Sequence, residues 1–255
     1  GAVVLERAAL ELKEVRLGEE DRGIPLALGN LAIDLAELGD LAGAQAMIDR
    51  AVALDEAHRS GAAREDLAAT YMQQADFGFC RMEAGEAEAA PQVLAALENA
   101  RVIREALFGA QSAEMANWWN QMGYYHGLLG EKSAKLAACE QALRQTRALP
   151  QVDKADLATR AMNVGSTALE LGRVDEAEAP LREAYQIAAE IYAEVPNHSN
   201  LRIMAQWLTA CLFVLARKGQ ATEAEARQIC ARHGLDAEAL KARAAQLPLE
   251  PVDLG

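Results

Sequence analysis

The chain has 255 residues, 51% of them apolar but only 5% aromatic, and Ala and Leu supply most of the apolar content without strand-like Val-Ile-Thr alternation. That composition favours helices throughout. Lys plus Arg number 25 against 38 Asp plus Glu, and the net charge of -13 repels a phosphate backbone or an anionic membrane surface, which excludes nucleic acid and membrane as partners. No uninterrupted apolar stretch approaches the roughly 20 residues of a membrane helix, and no basic-then-apolar leader opens the chain, so a cytoplasmic location is expected.

Residues 3–17 read as a helix with Ala8 facing a neighbour, but no partner helix precedes it in the sequence. This half repeat predicts that the natural protein extends upstream. The next helix, over 24–38, ends in AELGDLAGA, the first of five copies of one phrase. The others are RMEAGEAEAA after a helix over 63–84, GLLGEKSAK after 112–129, LELGRVDEA after 153–171 and ARKGQATEA after 200–218. In each, an apolar helix closes on a glycine (Gly39, Gly85, Gly130, Gly172, Gly219) and a second helix follows within a few residues. Glycine takes the left-handed conformation that ends a helix, and the residue five positions on (Ala44, Ala90, Lys135, Ala177, Ala224), small in four copies, brings the second helix close to the first. Another Ala follows seven residues later at Ala51, Ala142, Ala184 and Ala231, on the same face. In the second copy it is Ala100, displaced by about three extra residues near Pro91.

Recurrence at spacings between 42 and 47 residues predicts stacked helical hairpins, at about 22–60, 62–109, 111–150, 152–197 and 199–234. After Gly234, residues 236–246 read as a capping helix begun by Asp236 and stopped before Pro248, leaving 247–255 as a loose tail. The expected fold is all-α, a solenoid over 1–235 of five hairpins behind a half repeat at 1–20.

Three segments carry a family resemblance: NARVIREALFG (99–109), MANWWNQMGYYHGLLG (115–130) and NVGSTALELGRVDEAEAPLREA (163–184). They resemble the tetratricopeptide repeat (TPR) family, in particular the longer-period type of kinesin light chains and bacterial multidomain regulators. Family members carry a large apolar residue, two polar ones and an apolar-small pair at mid-helix, which Trp119-Asn120-Gln121-Met122-Gly123 follows closely and Ala161-Met162-Asn163-Val164-Gly165 with drift. The resemblance implies a right-handed α-α superhelix whose first helices line a concave groove that holds a peptide. It also implies that the polar residue nine positions before each turn glycine grips a peptide backbone. Here that row is Asn30, Asp76, Gln121, Asn163 and Ala210. A carboxamide suits the task because it both donates and accepts.

Rows one turn to either side contain Leu26, Met72, Asn117, Thr159 and Gln206, and Ile33, Phe79, Tyr124, Ser166 and Phe213. A further row of Glu37, Glu83, Leu128, Glu170 and Arg217 adds an acidic lip. The candidate groove set is therefore Asn30, Asp76, Gln121, Asn163, Asn117, Tyr124, Phe79, Glu37, Glu83 and Glu170, suited to a segment with basic and apolar side chains. Solvated helix faces and inter-repeat packing are the plainer account of any one of them. Trp119 fits the core slot, while Trp118 packs against a neighbouring hairpin or serves as a contact.

The remaining chemistry-bearing residues form no recognisable constellation. Cys80, Cys139, Cys211 and Cys230 lack metal-ligand or redox spacing, and His58, His126, His198 and His233 are scattered. There is no phosphate loop, G-x-S-x-G or H-E-x-x-H, so no catalytic residues, metal or cofactor are expected. The sequence is read as a non-enzymatic protein-interaction scaffold. A ligand-sensing domain that controls an enzyme elsewhere in a larger protein is the second reading, and self-association through uncapped repeat faces a third.

Overall fold

A computed structural model describes residues 2–18, 21–57 and 63–252; His58 lies outside them. Among the described residues there is no strand. The helices are α1 (Ala2–Leu17), α2 (Gly23–Glu37), α3 (Leu41–Ala57), α4 (Ala63–Glu83), α5 (Ala90–Phe108), α6 (Ala113–Leu128), α7 (Lys132–Ala148), α8 (Lys154–Glu170), α9 (Val174–Ile191), α10 (Ser199–Arg217), α11 (Glu223–His233) and α12 (Ala237–Ala245). The chain divides into two compact units, Gly1–Ala110 and Gln111–Gly255. The first holds α1 and the hairpins α2–α3 and α4–α5; the second holds α6–α7, α8–α9, α10–α11 and α12.

Each hairpin turns on its expected glycine, and one device closes all five first helices. Gly39, Gly85, Gly130, Gly172 and Gly219 have φ between 72° and 100°. The N–H of the next residue reaches back over the glycine to a carbonyl five residues earlier: Asp40 to Leu35, Glu86 to Arg81, Glu131 to His126, Arg173 to Ala168 and Gln220 to Leu215, each at 2.9 Å. This is the Schellman arrangement, which satisfies carbonyls that a helix end leaves without intrahelical partners. Side-chain caps open other helices. Asp153 accepts from the N–H groups of Ala155 and Asp156 at 2.7 and 3.0 Å, and Asp236 accepts from Glu238 and Ala239, both at 3.0 Å.

Within the hairpins the helices approach closely at small residues. A Cβ built on Gly78 would lie 2.4 Å from Val93 Cγ2, on Gly123 2.7 Å from Cys139 Sγ, and on Gly165 2.5 Å from Leu181 Cγ and 2.9 Å from the Ala177 carbonyl. Ala44, Ala51, Ala100, Ala142, Ala177 and Ala184 are all fully buried on the second helices, as the repeat phrase anticipates. Lys135 occupies the small position of α7 by laying its alkyl stem near Gly127.

Three readings of the second-helix register are corrected. In α1, Ala8 is exposed and Leu10 carries the contact. In the last hairpin, Ala224 and Ala231 are exposed, and Ala226 and His233 take the inward positions. The cause is a turn two residues longer: α11 starts four residues after its glycine, whereas α3, α7 and α9 start two after theirs. In the α4–α5 hairpin a single 3-10 turn, Ala87–Ala89, absorbs the extra residues before Ala90.

The second unit's core centres on α10, where Phe213 is 1% exposed. By length and composition α10 could cross a membrane, but 61% of that stretch is buried inside the protein. Within the tail, of which residues 253–255 lie outside the described residues, Leu247 and Leu249 pack on this core and Val252 N–H donates to the Leu171 carbonyl at 3.0 Å.

The hairpin contacts predict opposite signs for two glycine-to-alanine changes. Gly165→Ala forces its methyl into Leu181 and the Ala177 carbonyl and should destabilise by about 1–3 kcal/mol. Gly127→Ala meets only the Lys135 stem, at 3.4 Å, and should gain about 0.5–1 kcal/mol of helix propensity. Urea denaturation followed by circular dichroism checks both.

Candidate binding face of the first helices

The first unit presents Asn30, Glu37, Asp76 and Glu83 to solvent from α2 and α4. Gln73 on α4 reaches across to α2, where its Nε2 donates to Asn30 Oδ1 at 2.7 Å and to the Leu26 carbonyl at 3.3 Å. It can do so because it lies flat on Gly29: a Cβ there would be 1.9 Å from Gln73 Oε1. Burial, then Glu83, Glu37 and Asp76, push the Cys80 thiol above its ordinary range. Negative charges around a thiol disfavour its thiolate and favour a cation.

In the second unit α6 and α8 exhibit the same kind of bond, 43 residues apart in sequence: Asn163 Nδ2 donates to Asn120 Oδ1 at 3.0 Å. One turn earlier Arg160 donates to Asn117 Oδ1 and also to Thr146 Oγ1 on α7. Thr146 in turn donates to the Ala142 carbonyl at 2.8 Å, and Asp156 lies 3.5 Å from the guanidinium. Arg160 is buried, and desolvation lowers its pKa, offset by Asp156 and Asp153. A buried cation of this kind needs its partners.

The polar row is thus partly an amide ladder between neighbouring first helices. One bond occupies the oxygen of Asn30 and another the amide of Asn163, while each carboxamide has further capacity to donate or accept. Gln121 and Asn117 are exposed, and Tyr124 is 64% exposed with its ring edge-on to Tyr125. Glu170 is half-buried, 3.6 Å from Lys135 Nζ, so the second unit's acidic contribution is partly neutralised.

One row departs from its expected role. Phe79 and Phe213 are 8% and 1% exposed and Ser166 is buried, so this register points between helices and leaves only Tyr124 well exposed. Phe79 is therefore not available as a contact. The tryptophans also exchange places: Trp118 is 2% exposed and Trp119 half-buried, with rings edge-to-face at 4.8 Å. Packing, not contact, is the role of Trp118.

All four cysteine thiols lie above their ordinary range. Burial raises the Cys139 thiol to about 11 and Cys211 to about 12, and Cys230 is raised chiefly by burial as well. Among the described residues no group of three His, Cys, Asp or Glu side chains gathers as a metal site. His233 joins elements instead, its Nε2 meeting Tyr185 Oη at 2.9 Å and its Nδ1 the Pro196 carbonyl at 3.2 Å.

Several solved structures resemble this one. BtubC (BKLC) from P. vanneervenii matches with a TM-score of 0.70 and 17% identity, covering 99% of this chain and 94% of that one. The nearly identical TPR-like repeats of a Podosopora anserina kinesin light chain-type protein match with a TM-score of 0.59 and 14% identity, covering 89% of this chain and 99% of that one. No family model matches the sequence, and no curated protein matches it significantly.

Two measurements test these assignments. Thr146→Val removes an oxygen that Arg160 needs and should cost about 1–3 kcal/mol in chemical denaturation, non-additively with Arg160→Met. The fold keeps Cys139 and Cys211 protonated, so their contribution is whole below pH 9 and is lost as pH climbs towards 11 to 12. The melting temperature should therefore fall above pH 9, and less steeply in a Cys139→Ala/Cys211→Ala variant.

Proposed function

We propose that this chain, a TPR-like repeat solenoid by fold, is a protein-interaction module that binds an extended peptide along the exposed face of its first helices. The supporting observation is the recurrence of exposed or half-exposed amides and acids at one register in both units: Asn30 and Asp76 in the first, Gln121 and Asn163 in the second. The ladder bonds hold two of these carboxamides in place, so they meet a peptide backbone without first losing rotamer freedom. Glu37, Asp76 and Glu83 offer a seat for a basic side chain, and Tyr124 and the exposed Leu26 and Leu128 offer apolar contact. The partner class is accordingly a basic-apolar segment of another protein, in a cytoplasmic setting and without catalysis by this chain.

A second reading, a small-ligand sensor, draws on a cavity of about 380 Å³ in the first unit, lined by Gln45, Asp49, Gln74, Phe77, Arg81 and Gln92 among others. Stabilisation by a small metabolite in a thermal-shift panel would favour it.

Fluorescence polarisation against a library of basic-apolar decapeptides tests the leading reading. A selected binder should lose at least roughly 10-fold, and up to roughly 1000-fold, in affinity on Asn30→Ala/Gln121→Ala/Asn163→Ala, since each lost hydrogen bond is worth about 0.5–1.5 kcal/mol. It should also weaken between 50 and 500 mM salt. Equal affinity of both proteins would sink the assignment.

A further inference from the structure

Of the five hairpin turns, one is covered. A Cβ added to Gly39, Gly85, Gly130 or Gly219 would meet nothing within 4 Å, and all four glycines are exposed. Gly172 is buried: a Cβ there would lie 2.1 Å from the Glu250 carbonyl oxygen and 3.2 Å from Pro248 Cβ. The chain's own segment 247–252 runs over this turn.

The segment is held the way a peptide ligand is held. Val252 N–H donates to the Leu171 carbonyl at 3.0 Å, a backbone bond outside any helix. Leu247 and Leu249 pack against the second unit's core. Arg217, near the end of α10, donates to the Ala244 carbonyl at 2.6 Å and the Leu247 carbonyl at 3.3 Å, and so fixes where the segment leaves α12. Lys218 places its ammonium 3.9 Å from Glu250 and 3.7 Å from Asp175. Prolines at 248 and 251 each fix one backbone φ, which lowers the entropy lost on docking. Glycine's missing side chain at 172 lets a second backbone come this close.

We infer that the turn of the fourth hairpin is a second peptide site, specific for a leucine-proline segment with one acidic residue, and that residues 247–252 fill it as an exchangeable ligand in cis. A protein carrying a segment of that chemistry competes for it in trans. The site sits on the turn at Gly172, nine residues beyond Asn163 of the amide row.

Hydrogen exchange on the intact protein tests exchangeability, and peptide binding tests specificity. The Val252 amide should exchange at least ~100-fold faster than amides in the middle of α8, through local opening of the tail. Exchange of Val252 only with global unfolding would overturn the proposal. In the full chain, Leu249→Asp/Val252→Pro removes one apolar anchor and the backbone donor. That variant, with its helical signal retained, should bind a fluorescent LPLEPV amide at least ~10-fold more tightly than the wild type. Equal binding by the two, or none by the variant at 1 mM, would overturn it too.

Discussion

The structure depends on how closely two helices can lie within one hairpin. At Gly78, Gly123 and Gly165 the backbone of a first helix comes within side-chain contact of Val93, Cys139 and Leu181, too near for even a methyl group. That approach makes each hairpin a thin, flat unit whose two helices share a buried seam of alanines. Such a unit cannot bury its outer faces alone, so it stacks on a neighbour. Stacking then sets what the first helices can do with their polar residues. The close packing also keeps the thiols out of water, which is why Cys139 and Cys211 resist ionisation.

Much of this was legible in the sequence because it is local. A glycine that must close a helix, and a small residue that must admit its partner, act within about ten residues of each other. Hence the five turns and the limits of all five first helices lie within a residue of their expected places. Where the local count changes, the reading slips. Two additional residues before α11 rotate its buried face from Ala224 and Ala231 to Ala226 and His233, and no single residue announces the insertion.

The candidate face was only partly legible, because its chemistry is set by contacts between hairpins. Polarity at the Asn30 and Asn163 register is plain from sequence, but their partners Gln73 and Asn120 belong to other helices and are fixed by the stacking. Phe79 and Phe213 look like contacts on a helical wheel and are buried, since that side of the wheel meets an adjoining helix. Arg160 went unnoticed because a lone arginine on a helix ordinarily reaches water. Its nearest clue is its place between the buried Ala158 and Ala161. The covered turn at Gly172 was invisible for a related reason: 78 residues separate it from Glu250, and nothing in the phrase LELGRVDEA differs enough from its sisters to mark it.

The amide ladder has one more effect, on how the molecule feels its surroundings. Neutral carboxamides bridge α2 to α4 and α6 to α8 in a chain of net charge -13. Their hydrogen bonds are indifferent to dissolved ions, whereas the long-range pull of the acidic surface fades within a Debye length of about 8 Å at physiological ionic strength. The framework and its reach are thereby decoupled. For the basic segment proposed as partner, ionic conditions would tune how far away it is felt while the hydrogen bonds within each unit stay in place.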